Sequence, residues 1–237
     1  MKKRIWELDA ARGLCILGMV LVHLLYDLQH LFAWLPPGAS PVFSFVMEWG
    51  GVLFFLISGI CATLGNHPVR RGAIVFGCGV VVSAVTFGMV ALNLADPSMA
   101  IRFGVLQSLG ACMLLWPVFR RLPVSGTGIV GAVIVAAGLY VQHRSFDFAQ
   151  WLYPFGLRTA SFSSGDYFPL MPFFGFFLLG TVLGKTVYQN KTTLFPNVRP
   201  DHGMVRLLVQ TGRWSLPVYL LHQPVLTGIL MLLEVLV

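Results

Sequence analysis

The chain has 237 residues, of which 57% are hydrophobic and only 11% charged, with a formal net charge of +7. A soluble domain carries about a quarter charged residues, so this composition excludes an ordinary soluble globular protein. Repeated apolar runs of roughly 18 or more residues instead mark membrane-spanning helices. The basic residues sit in the loops between those runs. That placement argues against nucleic acid and for membrane lipid headgroups or a phosphate-bearing substrate.

Residues 1–10 are a basic, polar lead-in. A first span is predicted from about Ala11 to Leu35, ended by Pro36, Pro37 and Gly38. The N-terminus imitates a signal peptide, with Gly-Ala-Ser at 38–40 as a cleavage-like site. The apolar run is too long and too charged for one, so it is read as a retained helix. Span 2 covers about Val42 to Leu64, with Glu48 near its outer end. Span 3 covers about Gly72 to Leu94 and is followed by an Asp96-Pro97-Ser98 turn. Span 4 covers about Arg102 to Phe119, and span 5 about Gly128 to Gln142. The segment from His143 to Tyr167, rich in aromatics, suits the membrane interface as a short helix or a re-entrant cover. Span 6 covers about Phe168 to Val187. A short interfacial helix is predicted within Met204 to Gln210, and span 7 covers about Trp214 to Leu236.

The expected fold is therefore all-α: one transmembrane domain over 1–237, a polytopic bundle of about seven helices with a cytoplasmic N-terminus. Loop charge supports that orientation. Of the 16 Lys and Arg, twelve fall on the inner side, including Arg70, Arg71, Arg120, Arg121, Lys185, Arg199 and Arg213. Three fall outside: Arg102, Arg144 and Arg158. Cys15, Cys61, Cys78 and Cys112 all lie within spans as packing residues, and no spacing suggests a metal.

Span 1 is the exceptional one, because it carries Arg12, His23, Asp27 and His30. On a regular helix Arg12 and His23 lie close to three turns apart. His23 to Asp27 is i,i+4 and Asp27 to His30 is i,i+3, so all four share one face. Ionisable groups inside a span usually face a protein interior or a water-filled path. Arg12 suits phosphate at the inner mouth. His23, about 16 Å further out, backed by the Asp27 carboxylate, suits general-base or nucleophilic work. His222 is a second catalytic candidate, between Pro217 and Pro224, where a kinked helix is expected. Asp9, Gln107 and Asp166 are candidate substrate-binding residues, although Gln107 also reads as a helix-packing amide and Asp166 as the N-cap of span 6.

At these residues the chain resembles a known family. Leu-Asp-Ala-Ala-Arg-Gly, then Met-Val-Leu-Val-His and Phe-Phe-Leu-Ile-Ser-Gly, are similar to the catalytic domain of the heparan-alpha-glucosaminide N-acetyltransferases. Arg-Phe-Gly-Val-Leu-Gln-Ser-Leu-Gly, Asp-Tyr-Phe-Pro-Leu-Met-Pro and Ser-Leu-Pro-Val-Tyr-Leu-Leu-His-Gln-Pro fit short prokaryotic members. The spacing of Arg12 and His23 also resembles the acyltransferase-3 class. The resemblance implies acetyl-CoA as donor, bound from the cytoplasm, and acetylation of a sugar or glycan acceptor on the far side. In the lysosomal branch the position matching His23 is Asn and the reactive His lies nearer the lumen, so His23 and His30 both stand as candidates. Short members often carry His at the position of Gln107. The expected acyl-CoA contacts are Arg12, Arg70, Arg71, Arg120 and Arg121. A bacterial inner membrane is the expected location. No residue pattern demands a homodimer, and none opposes it. The alternative readings are a proton-coupled transporter, since a polar track also serves proton relay, and a non-catalytic membrane subunit.

Overall fold

The computed structural model describes residues 5–36, 41–148, 150–198 and 200–236. Lys2, Lys3, Arg4 and Arg199 of the inner charge count, the 38–40 site and the side chain of Glu48 lie outside the described residues. The described residues form α1 (Trp6–Tyr26), α2 (Pro41–Leu64), α3 (Pro68–Ala91), α4 (Val105–Phe119), α5 (Val124–Gln142), α6 (Leu170–Thr186), α7 (Gly203–Arg213) and α8 (Ser215–Leu236). No strand occurs among them; a single bridge joins Phe103 and Tyr167.

Four segments are long and apolar enough to cross a membrane: Trp6–Leu31, Pro68–Ala91, Val124–Gln142 and Ser215–Leu236. Three further apolar helices are shorter: Trp49–Leu64, Val105–Phe119 and Leu170–Thr186. Four of the seven expected spans are thus long enough to cross, and the other three expected positions hold the shorter apolar helices, with several starts moved. Span 1 begins at Trp6 rather than Ala11, and span 3 begins at Pro68. Pro at the first helical position has no N–H to waste and a pre-set φ, so the helix starts earlier than the apolar run does. The expected interfacial helix appears as α7. Among its described residues the segment 143–169 is helical only in a 3-10 turn at Tyr153–Phe155. It is tied down instead by Arg158, which donates to Gln142 O at 2.8 Å, and by Tyr167, which donates to Tyr153 O at 2.7 Å. Burial raises the Tyr167 phenol above its ordinary pKa, which keeps it a donor.

The chain divides into two compact units. Unit 1 comprises Met1–Phe54 with Lys191–Val237, and unit 2 comprises Phe55–Asn190. In unit 1, α1 packs against α7 and α8. Gly13 and Gly212 let the α1 and α7 backbones touch. A Cβ at Gly13 would overlap the Leu208 carbonyl, and one at Gly212 would overlap the Asp9 carbonyl. Glu7 pins the chain ahead of α7 to the start of α1, accepting from Thr193 Oγ1 at 2.8 Å and Leu194 N–H at 2.7 Å.

In unit 2, α5 packs on α6 and α3 on α4, with α4 also touching α6. Phe55 and Phe177 are fully buried there, and Phe173 stands 4.9 Å from Phe55 and 4.8 Å from Phe168 between ring centroids. Gly59 and Gly180 bring α2 and α6 into backbone contact. Small residues at helix crossings serve this purpose in membranes, where packing replaces the hydrophobic effect between helices.

Gly212→Ala is expected to destabilise the folded protein by about 1–3 kcal/mol or more, as overpacking does. Gly18→Ala, whose Cβ would meet nothing within 4 Å, is expected to be neutral or slightly stabilising. Thermal unfolding of the two variants in detergent, side by side, checks the α1–α7 crossing.

Candidate active site

Unit 1 gathers the polar residues of α1 and α8. α1 is regular up to Tyr26, and then Asp27–Leu31 form a π turn. Its signature is the Phe32 N–H, which donates five residues back to Asp27 O at 3.0 Å. The wider turn rotates later residues off the face that an α-helix would have given them. Asp27 is buried at 2% exposure, whereas His30 is exposed. The His30 ring stacks on Tyr26 at 4.5 Å, and its Nδ1 lies 3.3 Å from Tyr26 O. The expected single face therefore holds through Asp27 and loses His30.

His23 is half-buried, and its Nδ1 lies 2.9 Å from Met19 O, four residues back. A carbonyl only accepts, so Nδ1 carries the hydrogen and Nε2 is left as the lone-pair nitrogen. Asp27 does not orient this ring, contrary to expectation. Both of its oxygens accept from Gln223 Nε2, at 3.0 and 2.9 Å. The nearer acceptor on the helix's own backbone takes the imidazole N–H, and the amide of α8 takes the carboxylate.

His222 completes the cluster. Its Nδ1 lies 2.5 Å from Tyr219 O, and its ring meets His23 edge-on at 4.9 Å between centroids, with 79° between planes. Its Nε2 is buried and has no hydrogen-bond partner among the described residues. Ser215–Leu236 is one helix that continues through Pro224. Pro217 falls in the first turn, where helical N–H groups lack partners in any case. The arrangement therefore offers two imidazoles, each with Nδ1 on a backbone carbonyl and Nε2 turned away from it. Chemically, such a pair can take and return protons or supply a nitrogen nucleophile.

At the other end of α1, Arg12 Nη1 reaches Asp9 Oδ1 at 3.2 Å and Gly212 O at 3.5 Å. Asp9 also faces Arg213, Nε to Oδ2 at 3.6 Å. Asp9 is buried at 8% exposure and joins two arginines from α1 and α7, which makes it an anchor for cations. Arg213 enters the sequence reading only through loop charge.

Unit 2 holds the remaining candidates in two groups. Asp166 caps a helix, but α4 rather than the expected sixth span: Val105 N–H donates to its Oδ2 at 3.0 Å. The N-cap of α6 is Pro169. Gln107 serves the same end of α4. Its Oε1 accepts from Gly104 N–H at 2.7 Å, and its Nε2 donates to Ser83 Oγ at 2.7 Å on α3. Both residues thus satisfy early N–H groups of α4, which otherwise have no helical partner. Arg70, Arg71, Arg120 and Arg121 are exposed. The first two open α3 and the second two close α4, and Gly72 of α3 packs beside Gly110 and Met113 of α4. Lys185 of α6 joins that end, its Nζ 3.5 Å from Arg120 O and 5.2 Å from the Trp116 ring centroid. Such a collection of cations suits phosphate or anionic headgroups. No group of His, Cys, Asp and Glu that could hold a metal ion occurs among the described residues.

Gln223 and Ser83 carry no assignment from the sequence. Gln223 has a signal, a polar amide within an apolar span directly after His222, whereas Ser83 becomes visible only through its contact with Gln107.

Removing the Asp166 carboxylate should cost about 1 kcal/mol, the usual worth of a helix cap. Equilibrium unfolding of Asp166→Ala beside wild type measures it, and an unchanged stability would deny the cap.

A family model described as the catalytic domain of heparan-alpha-glucosaminide N-acetyltransferase matches residues 4–224. No curated protein and no solved structure matches the chain. The matched range contains the whole polar cluster of α1, and of α8 as far as Pro224. The chain accordingly belongs to the heparan-alpha-glucosaminide N-acetyltransferase catalytic-domain family, a family of membrane acetyltransferases.

Proposed function

We propose that the protein takes an acetyl group from cytoplasmic acetyl-CoA and transfers it to an amine or hydroxyl of a sugar, free, in a glycan or lipid-linked, on the far side of a bacterial inner membrane. The observation that carries this reading is the His23–His222 pair. Two imidazoles 4.9 Å apart, each with Nδ1–H on a backbone carbonyl, hold two nitrogen lone pairs at one place inside an apolar unit. Family membership supplies the reaction class.

Two routes use these atoms. In direct transfer, His23 Nε2 removes the proton from the acceptor as its nitrogen or oxygen attacks the thioester carbon. The new C–N or C–O bond forms, the C–S bond breaks, and the CoA thiolate leaves and is protonated. In the covalent route His23 Nε2 itself attacks, CoA leaves, and the acetyl-imidazole retains its Nδ1–H on Met19 O. That hydrogen keeps the ring cationic and the acetyl group reactive. The acceptor then attacks while His222 Nε2 takes its proton, and His23 departs as neutral imidazole. The covalent route predicts ping-pong kinetics.

Acetyl-CoA enters as co-substrate. Its phosphates are assigned to guanidinium groups, which match phosphate oxygens in pairs; the candidates are Arg12 in unit 1 and, separately, Arg70, Arg71, Arg120 and Arg121 in unit 2. Asp9 is assigned to holding Arg12 rather than to substrate, and His30, exposed and stacked on Tyr26, to no chemical step.

The test is CoA release by the purified protein with acetyl-CoA and glucosamine. His23→Ala is expected to lower the rate by at least about 10²–10⁴-fold, the usual loss for a general acid–base group, while the variant stays folded. A near wild-type rate in His23→Ala would remove His23 from the reaction. Solute flux across proteoliposomes without acetyl-CoA would favour a transporter instead.

A further inference from the structure

Gln223 has been described only as the partner of Asp27, yet its geometry reaches further. One atom, Nε2, stands within hydrogen-bond distance of both Asp27 oxygens, at 3.0 and 2.9 Å. An NH2 group facing a carboxylate makes that contact, so the carbonyl end of the amide must turn away from Asp27. Gln223 Oε1 is buried and has no hydrogen-bond partner among the described residues. His222 Nε2, on the preceding residue, is in the same condition. Among the described residues of the π turn and α8, the unpartnered buried side-chain atoms are Gln29 Oε1, His222 Nε2 and Gln223 Oε1. The two oxygens accept, and so does Nε2 of His222 because Nδ1 holds its hydrogen on Tyr219 O.

Buried polar atoms left without partners are uncommon and call for a cause. An unpartnered buried acceptor such as Gln223 Oε1 asks for a ligand that brings a donor. We propose that Gln223 binds the acceptor substrate, its Oε1 taking a hydrogen bond from an amine or hydroxyl next to the group that is acetylated. Asp27 is then a positioning residue, which holds the amide with its oxygen outward. This rests on the acetyltransferase reading above and adds the acceptor class: an amino or neutral sugar, rich in N–H and O–H donors. An anionic group brought to the same place would meet bare acceptor atoms and the Asp27 carboxylate, and is disfavoured.

The experiment is steady-state kinetics of the purified full-length protein with acetyl-CoA and glucosamine. Gln223→Met keeps the length of the side chain and removes the oxygen. Its KM for glucosamine is expected to rise about tenfold, the value of roughly one hydrogen bond, with KM for acetyl-CoA unchanged. Gln223→Glu sets a carboxylate against Asp27 and is expected to be at least as impaired. Asp27→Asn combined with Gln223→Glu exchanges the two partners. In that double variant the new amide on α1 donates, and one oxygen of the new carboxylate on α8 still faces the acceptor. The KM for glucosamine is therefore expected to return towards wild type. The double exchange also keeps the buried contact intact if Gln223→Met folds poorly. An active Gln223→Met enzyme with an unchanged KM for glucosamine, or KM values that rise equally for both substrates, would overturn the assignment and leave the acetyltransferase reading standing. So would a double exchange no better than Gln223→Glu. No CoA release by wild type with any amino or neutral sugar would overturn both.

Discussion

An imidazole inside an apolar helix must place its N–H on some acceptor, and the carbonyl three or four residues back is the nearest one. His23 and His222 both meet that requirement, on Met19 O and Tyr219 O. The consequence is chemical as well as structural. Each ring is held in one orientation with Nδ1 on a carbonyl, which leaves Nε2 as the nitrogen that the proposed chemistry uses. In a soluble active site a carboxylate commonly does this orienting. Here the backbone does it, which frees Asp27 for Gln223 and links α1 to α8 through a second polar contact.

The two ends of α1 divide the labour. Near its start, Asp9 binds Arg12 and Arg213, and α7 lies against α1 closely enough that Gly13 and Gly212 have no room for a Cβ. Near its end, the π turn keeps Asp27 inward and turns His30 outward. A π turn is costly in regular packing and tends to be kept where function needs it. In this chain it begins four residues after His23, at Asp27, which accepts from Gln223. The arginine-anchored start and the histidine-bearing end therefore sit on one helix, the start held by close packing and the histidine by a hydrogen bond.

Much of this was legible in the chain. Apolar runs bounded by Pro, Gly and paired arginines placed the helices, because membrane helices must be apolar throughout and their turns must not be. His23 and His222 stood out because polar rings inside spans are rare. What the sequence concealed came from contacts distant in sequence or from departures from regular geometry. Asp166 caps α4 from 61 residues away, and proximity in the chain pointed to the wrong helix. The π turn has no residue signature, so regular periodicity put His30 on the face of His23 and Asp27. Pro224 lies inside α8, which continues through it; neighbouring helices in membranes can re-satisfy what a proline frees. Gln223 could have been noticed by the same rule that selected Gln107.

The account stands on His23 Nε2 being the atom that meets the acetyl group. An experimental structure with a non-hydrolysable acetyl-CoA analogue would test it most directly. The account predicts the carbonyl carbon of the analogue at about 3–3.5 Å from His23 Nε2, or one acceptor molecule away from it, in near-attack geometry, with Nδ1 still bound to Met19 O. An acetyl group seated beside His30, or out of reach of both His23 and His222, would contradict it.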